Sequence, residues 1–328
     1  MLFSLRIPYL KTGLIPALLL AAACACQPAS GQGPAGPQLS RDAQFREYWY
    51  SGTAELNRFR LEQARYGELH AGEAVLIFVT EPFLKSSQVK YEGNGADDLA
   101  KDAIGIFKLN ATRKFFTGIY PYSTMTSTFT PVDAAGPSPL KITTGVQEWC
   151  GHVFAQLNLR DHQYQIKSHS YFQKEADEEF EIPGVATEDG LWSLIRLAPD
   201  RLPVGAVKLL PGTLFLRLRH LPTQAESAVT RFVAPDLKNF SGLRFSPAAL
   251  RVYEIEYQSV PRTVRIVFEK DFPHAIVAFE ETGESGWGAS KKILTTRAVR
   301  TNVLRTNYWD KHSNADAPLR AQLGVSQP

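Results

Sequence analysis

Between residues 41 and 328, most of the chain alternates apolar and polar positions in short runs closed by Gly, Pro or Asp. Successive side chains of a strand point to opposite faces, so this period of two predicts half-buried β-strands. The run GEAVLIFVTEPF (72–83) is apolar and β-branched, and FFTGIYPYSTMTSTFTPV (115–132) is rich in the Thr, Tyr and Phe that suit a pleated surface. TLFLRLRHLP (213–222) sets Leu214, Leu216 and Leu218 between Phe215, Arg217 and Arg219 and is expected to be another strand. The stretch 251–288 divides into three strands of a meander, with breaks at Ser259-Val260-Pro261 and Asp271-Phe272-Pro273 and a Gly-containing turn after Glu281.

Helical spacing is confined to short pieces. RDAQFREYWY (41–50) reads as an amphipathic helix capped by Ser40, and TEDGLWSLIRLAP (187–199) places Leu191, Leu194 and Ile195 on one face behind an acidic first turn. A last helical turn is expected within 307–324, while EGNGADDLAKD (92–102) reads as a polar loop. The predicted fold is mainly β: a long curved antiparallel sheet or open β-barrel with a few short helices. A weak division near 183–211 would separate two β-rich halves.

The N-terminus changes the picture from fold to location. Arg6 and Lys11 precede an apolar run at 13–23 of about 11 residues, the length of a signal-peptide core. A bilayer span needs roughly 20. Ala21-Ala22-Ala23-Cys24 resembles a lipobox, which makes 1–23 a signal peptide and Cys24 the lipid-attachment residue, with Cys26 as the alternative. Residues 24–40 are rich in Pro, Gly and Ser and have no apolar period, as expected of a flexible tether. The expectation is an exported envelope protein held to a membrane by its lipid anchor. Ala25 stands where an inner-membrane retention aspartate would be, which favours the outer membrane.

Charge and cysteine content narrow the partners. Removing Arg6 and Lys11 with the signal takes the 36 basic side chains to 34, against 33 acidic ones. Phosphate backbones are bound by concentrated basic surface, so this balance argues against nucleic acid. Beyond Cys24 and Cys26 only Cys150 remains, so the body has no internal disulfide to draw on. No cofactor is predicted.

The candidate chemistry lies in TTGVQEWCGHVFAQL (143–157). Read as one strand, it places Glu148, Cys150 and His152 in a row on one face, the residue types of an activated thiol or a metal site. If the following segment returns as a hairpin centred between Arg160 and Asp161, His152 faces His169 and Cys150 faces Tyr171. Cys150, His152 and His169 are then metal-ligand candidates. The same row also reads as strand packing, because cysteine behaves as a small hydrophobe. His274, after Pro273, and the polar set Asp310, His312, Asn314 and Asp316 carry weaker signals, the second reading equally as a solvated loop with a helix cap. Tyr48, Trp49, Tyr50, Tyr120, Tyr122 and Trp287 would form an aromatic rim if the fold gathers them.

The phrases YWYSGTAELNRFRLEQARYGELHAGEAVLIFVTE, QEWCGHVF, FEKDFPHAI, GWGASKKILTT and YWDKHSNADAPLR together resemble a family of uncharacterised exported proteins of Bacteroidota-type bacteria, some labelled "septum formation inhibitor Maf". Maf nucleotide pyrophosphatases carry a Ser-x-Ser-Pro-Arg-Arg loop near the start, and no such loop occurs in this chain. The resemblance implies export and supplies no catalytic residue. Two functions follow as expectations. The first is a non-catalytic binding or assembly protein for an apolar or lipid-like ligand or an envelope partner. The alternative is a cysteine- or metal-dependent hydrolase using Glu148, Cys150 and His152.

Overall fold

The computed structural model describes residues 42–93, 97–133, 136–238 and 240–325; the expected signal peptide, the expected lipid-attachment residues Cys24 and Cys26 and the expected tether lie outside them. The protein is mainly β, one large and mostly antiparallel sheet that is not closed. Its first limb comprises β1 (Ala54–Arg65), β2 (Glu68–Leu84), the short β3 (Val89–Lys90), β4 (Ala103–Thr117), β5 (Tyr120–Pro131), β6 (Lys141–Glu148), β7 (Gly151–Arg160), β8 (Gln163–Ser170) and β9 (Asp177–Pro183). The second comprises β10 (Ala186–Thr187), β11 (Gly205–Leu210), β12 (Glu226–Val233), β13 (Leu250–Tyr257), β14 (Arg262–Glu269), β15 (Ile276–Ser285) and β16 (Lys292–Thr306). Each limb is a meander, apart from the parallel β10–β11 pair and from β3, which pairs only with β2. They are joined where β16 pairs with β1, from Ala54↔Thr306 to Glu62↔Arg297. The free ends of the path are β9 and β10, consecutive in sequence and not paired with each other.

Local chemistry sets the register of the hairpins. Tyr66-Gly67 and Asp161-His162 adopt positive φ at both positions, the backbone that two-residue hairpins prefer because its twist matches the strands. At Gly67 no side chain fits, since a Cβ would stand 2.3 Å from the Ser290 carbonyl oxygen.

Among the described residues, five short α-helices accompany the sheet: α1 (Ala43–Trp49), α2 (Asp97–Asp102), α3 (Glu188–Leu197), α4 (Thr213–Arg219) and α5 (Pro318–Leu323). The α1 cap is Asp42, whose carboxylate accepts from the Phe45 amide at 2.7 Å. The polar stretch at 92–102 closes with α2, where a loop alone is expected from sequence. The larger correction concerns 213–219, expected as a strand and found as α4. Its Leu and Arg residues are good helix formers, Pro211-Gly212 interrupts β11, and His220 ends the helix in the left-handed conformation.

The core explains the curvature. Leu191, Leu194 and Ile195 of α3 are fully buried in one cluster with Phe59, Leu76 and Phe107 of the first limb and Tyr253, Ile266 and Phe279 of the second. The sheet therefore wraps α3 from both sides. On the opposite face of β13–β16, Phe240 and Leu243 cover a smaller cluster around Val267 and Val277.

The α3 helix also buries charge at both ends. Arg196, fully buried in its last turn, makes a bidentate pair with Glu55 at 2.8 and 2.9 Å. Burial alone would raise the Glu55 carboxyl, but Arg196, Tyr48 and Asn57 together hold it at about 2. In the first turn, Glu188 is paired with Arg262 at 2.5 Å. Acid at the N-terminus and base at the C-terminus also suit the helix dipole.

Candidate functional site

A cavity of about 100 Å³ lies between the inner face of the sheet and helices α3 and α4. Its apolar side is formed by Leu76, Leu109, Trp192, Phe215 and Phe279. Its floor is an ion-paired network. Arg262 donates to both Glu188 oxygens, at 2.5 and 3.3 Å, and Tyr257 donates to Glu188 at 2.8 Å. Arg113 donates to Glu281 through both terminal nitrogens and to Gln63 at 3.1 Å, while Arg262 approaches Glu281 at 3.8 Å. Burial would raise the Glu281 carboxyl, yet the two guanidiniums hold it at about 2. Burying these charges singly would cost several kcal/mol each, about the scale that paired geometry must offset.

Asp189 borders the same cavity and behaves differently. One of its oxygens accepts from the Thr213 amide at 2.9 Å and the Thr213 hydroxyl at 2.8 Å. The Thr213 hydroxyl in turn meets Thr144 at 2.6 Å, and Thr144 meets Thr126 at 3.1 Å. Desolvation pushes the Asp189 carboxyl up, opposed by the Thr213 amide and reinforced by Glu188, to about 6. Asp189 can therefore exchange a proton near neutrality.

At the rim, α4, the start of β5 and the β1–β2 and β15–β16 turns bring together Arg65, Tyr66, Tyr122, Arg219 and Trp287. The guanidinium carbon of Arg65 stands 4.5, 5.4 and 5.1 Å from the rings of Tyr66, Tyr122 and Trp287. Tyr120 donates to Tyr66 at 2.8 Å, and the Tyr66 and Tyr122 hydroxyls are 2.6 Å apart. The aromatic set read from sequence thus divides in two. Tyr120, Tyr122 and Trp287 gather here with Tyr66, whereas Trp49 packs in the core against Phe107 and Tyr48 meets Phe272 edge to face.

The row Glu148-Cys150-His152 does not form. Trp149-Cys150 is the two-residue loop between β6 and β7, with Glu148 opposite Gly151 and Gln147 opposite His152. Glu148 consequently shares the inward face of Val146, and His152 stands exposed on the outer face with its ring over Gly145. Cys150 is exposed; its amide donates to Glu148 at 2.7 Å, and the thiol's own hydrogen bond to that carboxylate pushes the thiol up, away from thiolate. Trp149 stacks on Tyr120 with ring centres 6.1 Å apart, which extends the rim.

The predicted hairpin register is displaced by two residues. His169 faces Phe154, not His152, and its Nδ1 lies 3.3 Å from Asp177. The metal-ligand candidates Cys150, His152 and His169 are therefore not assembled, and among the described residues no group of three His, Cys, Asp or Glu side chains is placed to hold a metal. His274 is half-buried, and desolvation pushes its imidazole down. In the tail, Ser313 caps a helical turn by donating its hydroxyl to Asp316 at 2.7 Å, and Asn307 donates to Asp310 at 2.8 Å, the solvated-loop alternative.

The residues of the cavity escaped the motif-based reading. A signal for them existed in strand parity: Arg262 alternates with Val264, Ile266 and Phe268, and Arg113 with Leu109, Ala111 and Phe115. A charge on the inward face of an apolar strand needs a buried partner. In comparisons with protein-family models, with curated proteins and with solved structures, the chain matches none.

Proposed function

We propose that this is an exported envelope lipoprotein, anchored through Cys24 or Cys26, that binds a small amphiphilic ligand without transforming it. The observation that carries this reading is the cavity beside α3, with an apolar wall facing an ion-paired floor. At about 100 Å³ it is somewhat smaller than an apolar cavity of ~150 Å³ that admits a benzene, which leaves room for a small head group or the end of a short chain. That narrows the lipid-like ligand expected from sequence to one of which only part is enclosed. The charged floor supports binding in preference to catalysis, because its carboxylates and guanidiniums are committed to one another. The signal-like N-terminus, the lipobox-like Ala21-Ala22-Ala23-Cys24 and the Pro- and Gly-rich tether support a membrane-anchored location.

Native mass spectrometry of the protein purified from its own host membranes tests the reading. A ligand adduct is expected on the wild-type chain, and Ala111→Phe, which fills the cavity wall, should lose it while remaining folded by circular dichroism. An adduct that persists in Ala111→Phe, or no adduct in either protein, overturns the proposal.

A further inference from the structure

Among the described residues, four arginines are buried: Arg65, Arg196, Arg217 and Arg262. Three have a carboxylate partner, Glu55 for Arg196, Glu175 for Arg217 and Glu188 for Arg262. Arg65, 7% exposed, has none within ion-pair distance. Its guanidinium donates to the neutral Tyr122 hydroxyl at 3.3 and 3.4 Å and to the Leu218 carbonyl. These bonds engage one N–H on each of its three nitrogens and bring no negative charge to it.

The neighbouring charges increase the excess. Arg219 lies against the same indole, its guanidinium carbon 5.3 Å from the Trp287 ring. Its carboxylate, Glu284, is 3.7 Å away and closer to Lys291, at 2.6 Å. Glu175, the other acid on this side of α4, is already engaged by Arg217 and His220. Glu148 accepts from the neutral Cys150 amide and, among the described residues, has no cation within ion-pair distance. Among the described residues, three cations, Arg65, Arg219 and Lys291, thus face two carboxylates at the cavity rim, Glu284 and Glu148, and neither lies within ion-pair distance of Arg65. A cation left unpaired under an indole and two phenols is costly unless an anion completes it, and guanidinium is the group best suited to oxyanions because it donates in a planar fork.

We infer that the cavity rim is an anion subsite, in which Arg65 and Arg219 hold the carboxylate or phosphate head of the ligand beneath Trp287 while its apolar part enters toward Trp192 and Phe279. This rests on the binding role proposed above and specifies its ligand as an acidic amphiphile.

The test uses the full-length protein in nanodiscs of zwitterionic phosphatidylcholine, titrated with hexyl phosphate, hexanoate, inorganic phosphate and neutral hexanol while tryptophan fluorescence is followed. Hexyl phosphate and hexanoate should bind at least tenfold more tightly than hexanol, and Arg65→Gln should abolish that preference. Inorganic phosphate binding as tightly as hexyl phosphate, with the same dependence on Arg65, would keep the oxyanion site and assign it to a free anion, overturning the amphiphile. Hexanol binding as well as hexyl phosphate, or an unchanged preference in Arg65→Gln, removes the anion subsite and leaves the cavity proposal standing. If none of the four probes binds, the cavity proposal falls as well. Two further readouts guard against a folding defect. The rim variant Arg219→Gln should weaken the acidic probes in the same way, and ligand-free Arg65→Gln should melt no lower than wild type, since it removes an unpaired buried charge.

Discussion

At the scale of single residues, the carboxylates around α3 are tuned in opposite directions, and the pH dependence of stability should record both. Glu55 and Glu281 are held at about 2, below the ordinary 4.5 of a glutamate. Their contribution is complete above about 4.5 and is lost as pH falls toward 2. Asp189 is raised from 3.8 to about 6, so between those values the folded state holds more protons than the unfolded one. Stability from this group therefore declines as pH rises through that window. Asp189→Asn keeps an oxygen to accept from Thr213 and has no charge to desolvate. It should raise the unfolding free energy at pH 7 by about 1–3 kcal/mol, read as a higher urea midpoint, and flatten the decline between about pH 4 and 6. Urea titrations of both proteins at pH 4, 5, 6 and 7 measure this; an Asn variant with an unchanged slope would mean that Asp189 is not the group responsible.

At the scale of elements, α3 is the part on which the others depend. Thr187 caps it by accepting from the Gly190 amide at 2.9 Å, and Gly190 itself lies against the 137–139 loop. A Cβ at Gly190 would stand 2.0 Å from the Pro137 carbonyl oxygen, with backbone as the obstacle. Gly190→Ala gains helix propensity worth roughly 1 kcal/mol, and the clash must exceed it because neither backbone can yield alone. The expected result is a net loss of stability of about 1–3 kcal/mol in thermal or urea unfolding, together with weaker ligand binding, since the displaced turn carries Glu188 and Asp189. This helix was legible in sequence, from its acidic start to Pro199. So were the strands of 251–288, whose alternation has only one register that buries Val264, Ile266 and Phe268. The failures have a common cause. Leu214, Leu216 and Leu218 satisfy a period of two, but over only seven residues the strand and helix patterns differ by very few positions. Likewise, nothing in QEWCGHVF distinguishes a continuous strand from a two-residue loop, because Trp149-Cys150 turns without positive φ and so lacks the Gly or Asn that would announce it. The cavity charges were visible only as parity violations, whose partners, such as Arg262 and Glu188, lie far apart in sequence and become neighbours when the two limbs meet around α3.

At the scale of the whole molecule, the two limbs offer a test of cooperativity. Each limb alone would leave one side of α3 bare, because Leu194 and Ile195 pack in one cluster with Phe78 and Phe107 from one limb and Tyr253 and Ile266 from the other. The strands that join them, β1 and β16, come from opposite ends of the described chain, so neither limb completes its sheet before the last long strand is available. The buried pairs tie the parts in the same way: Glu55 of the first limb holds Arg196 of α3, Arg262 of the second limb holds Glu188 of α3, and Arg113 and Glu281 pair directly across the limbs. Opening one limb would strip partners from buried charges in the other, which makes a half-folded state expensive. The division expected near 183–211 would instead let one half melt before the other. Trp49 and Trp192 report on the shared core by fluorescence, whereas far-UV circular dichroism reports on strands throughout. The expectation is one urea transition in which both signals share a midpoint and a slope. Two separated midpoints would show that the limbs fold independently, and α3 would then be a passenger of one limb instead of the element that holds both.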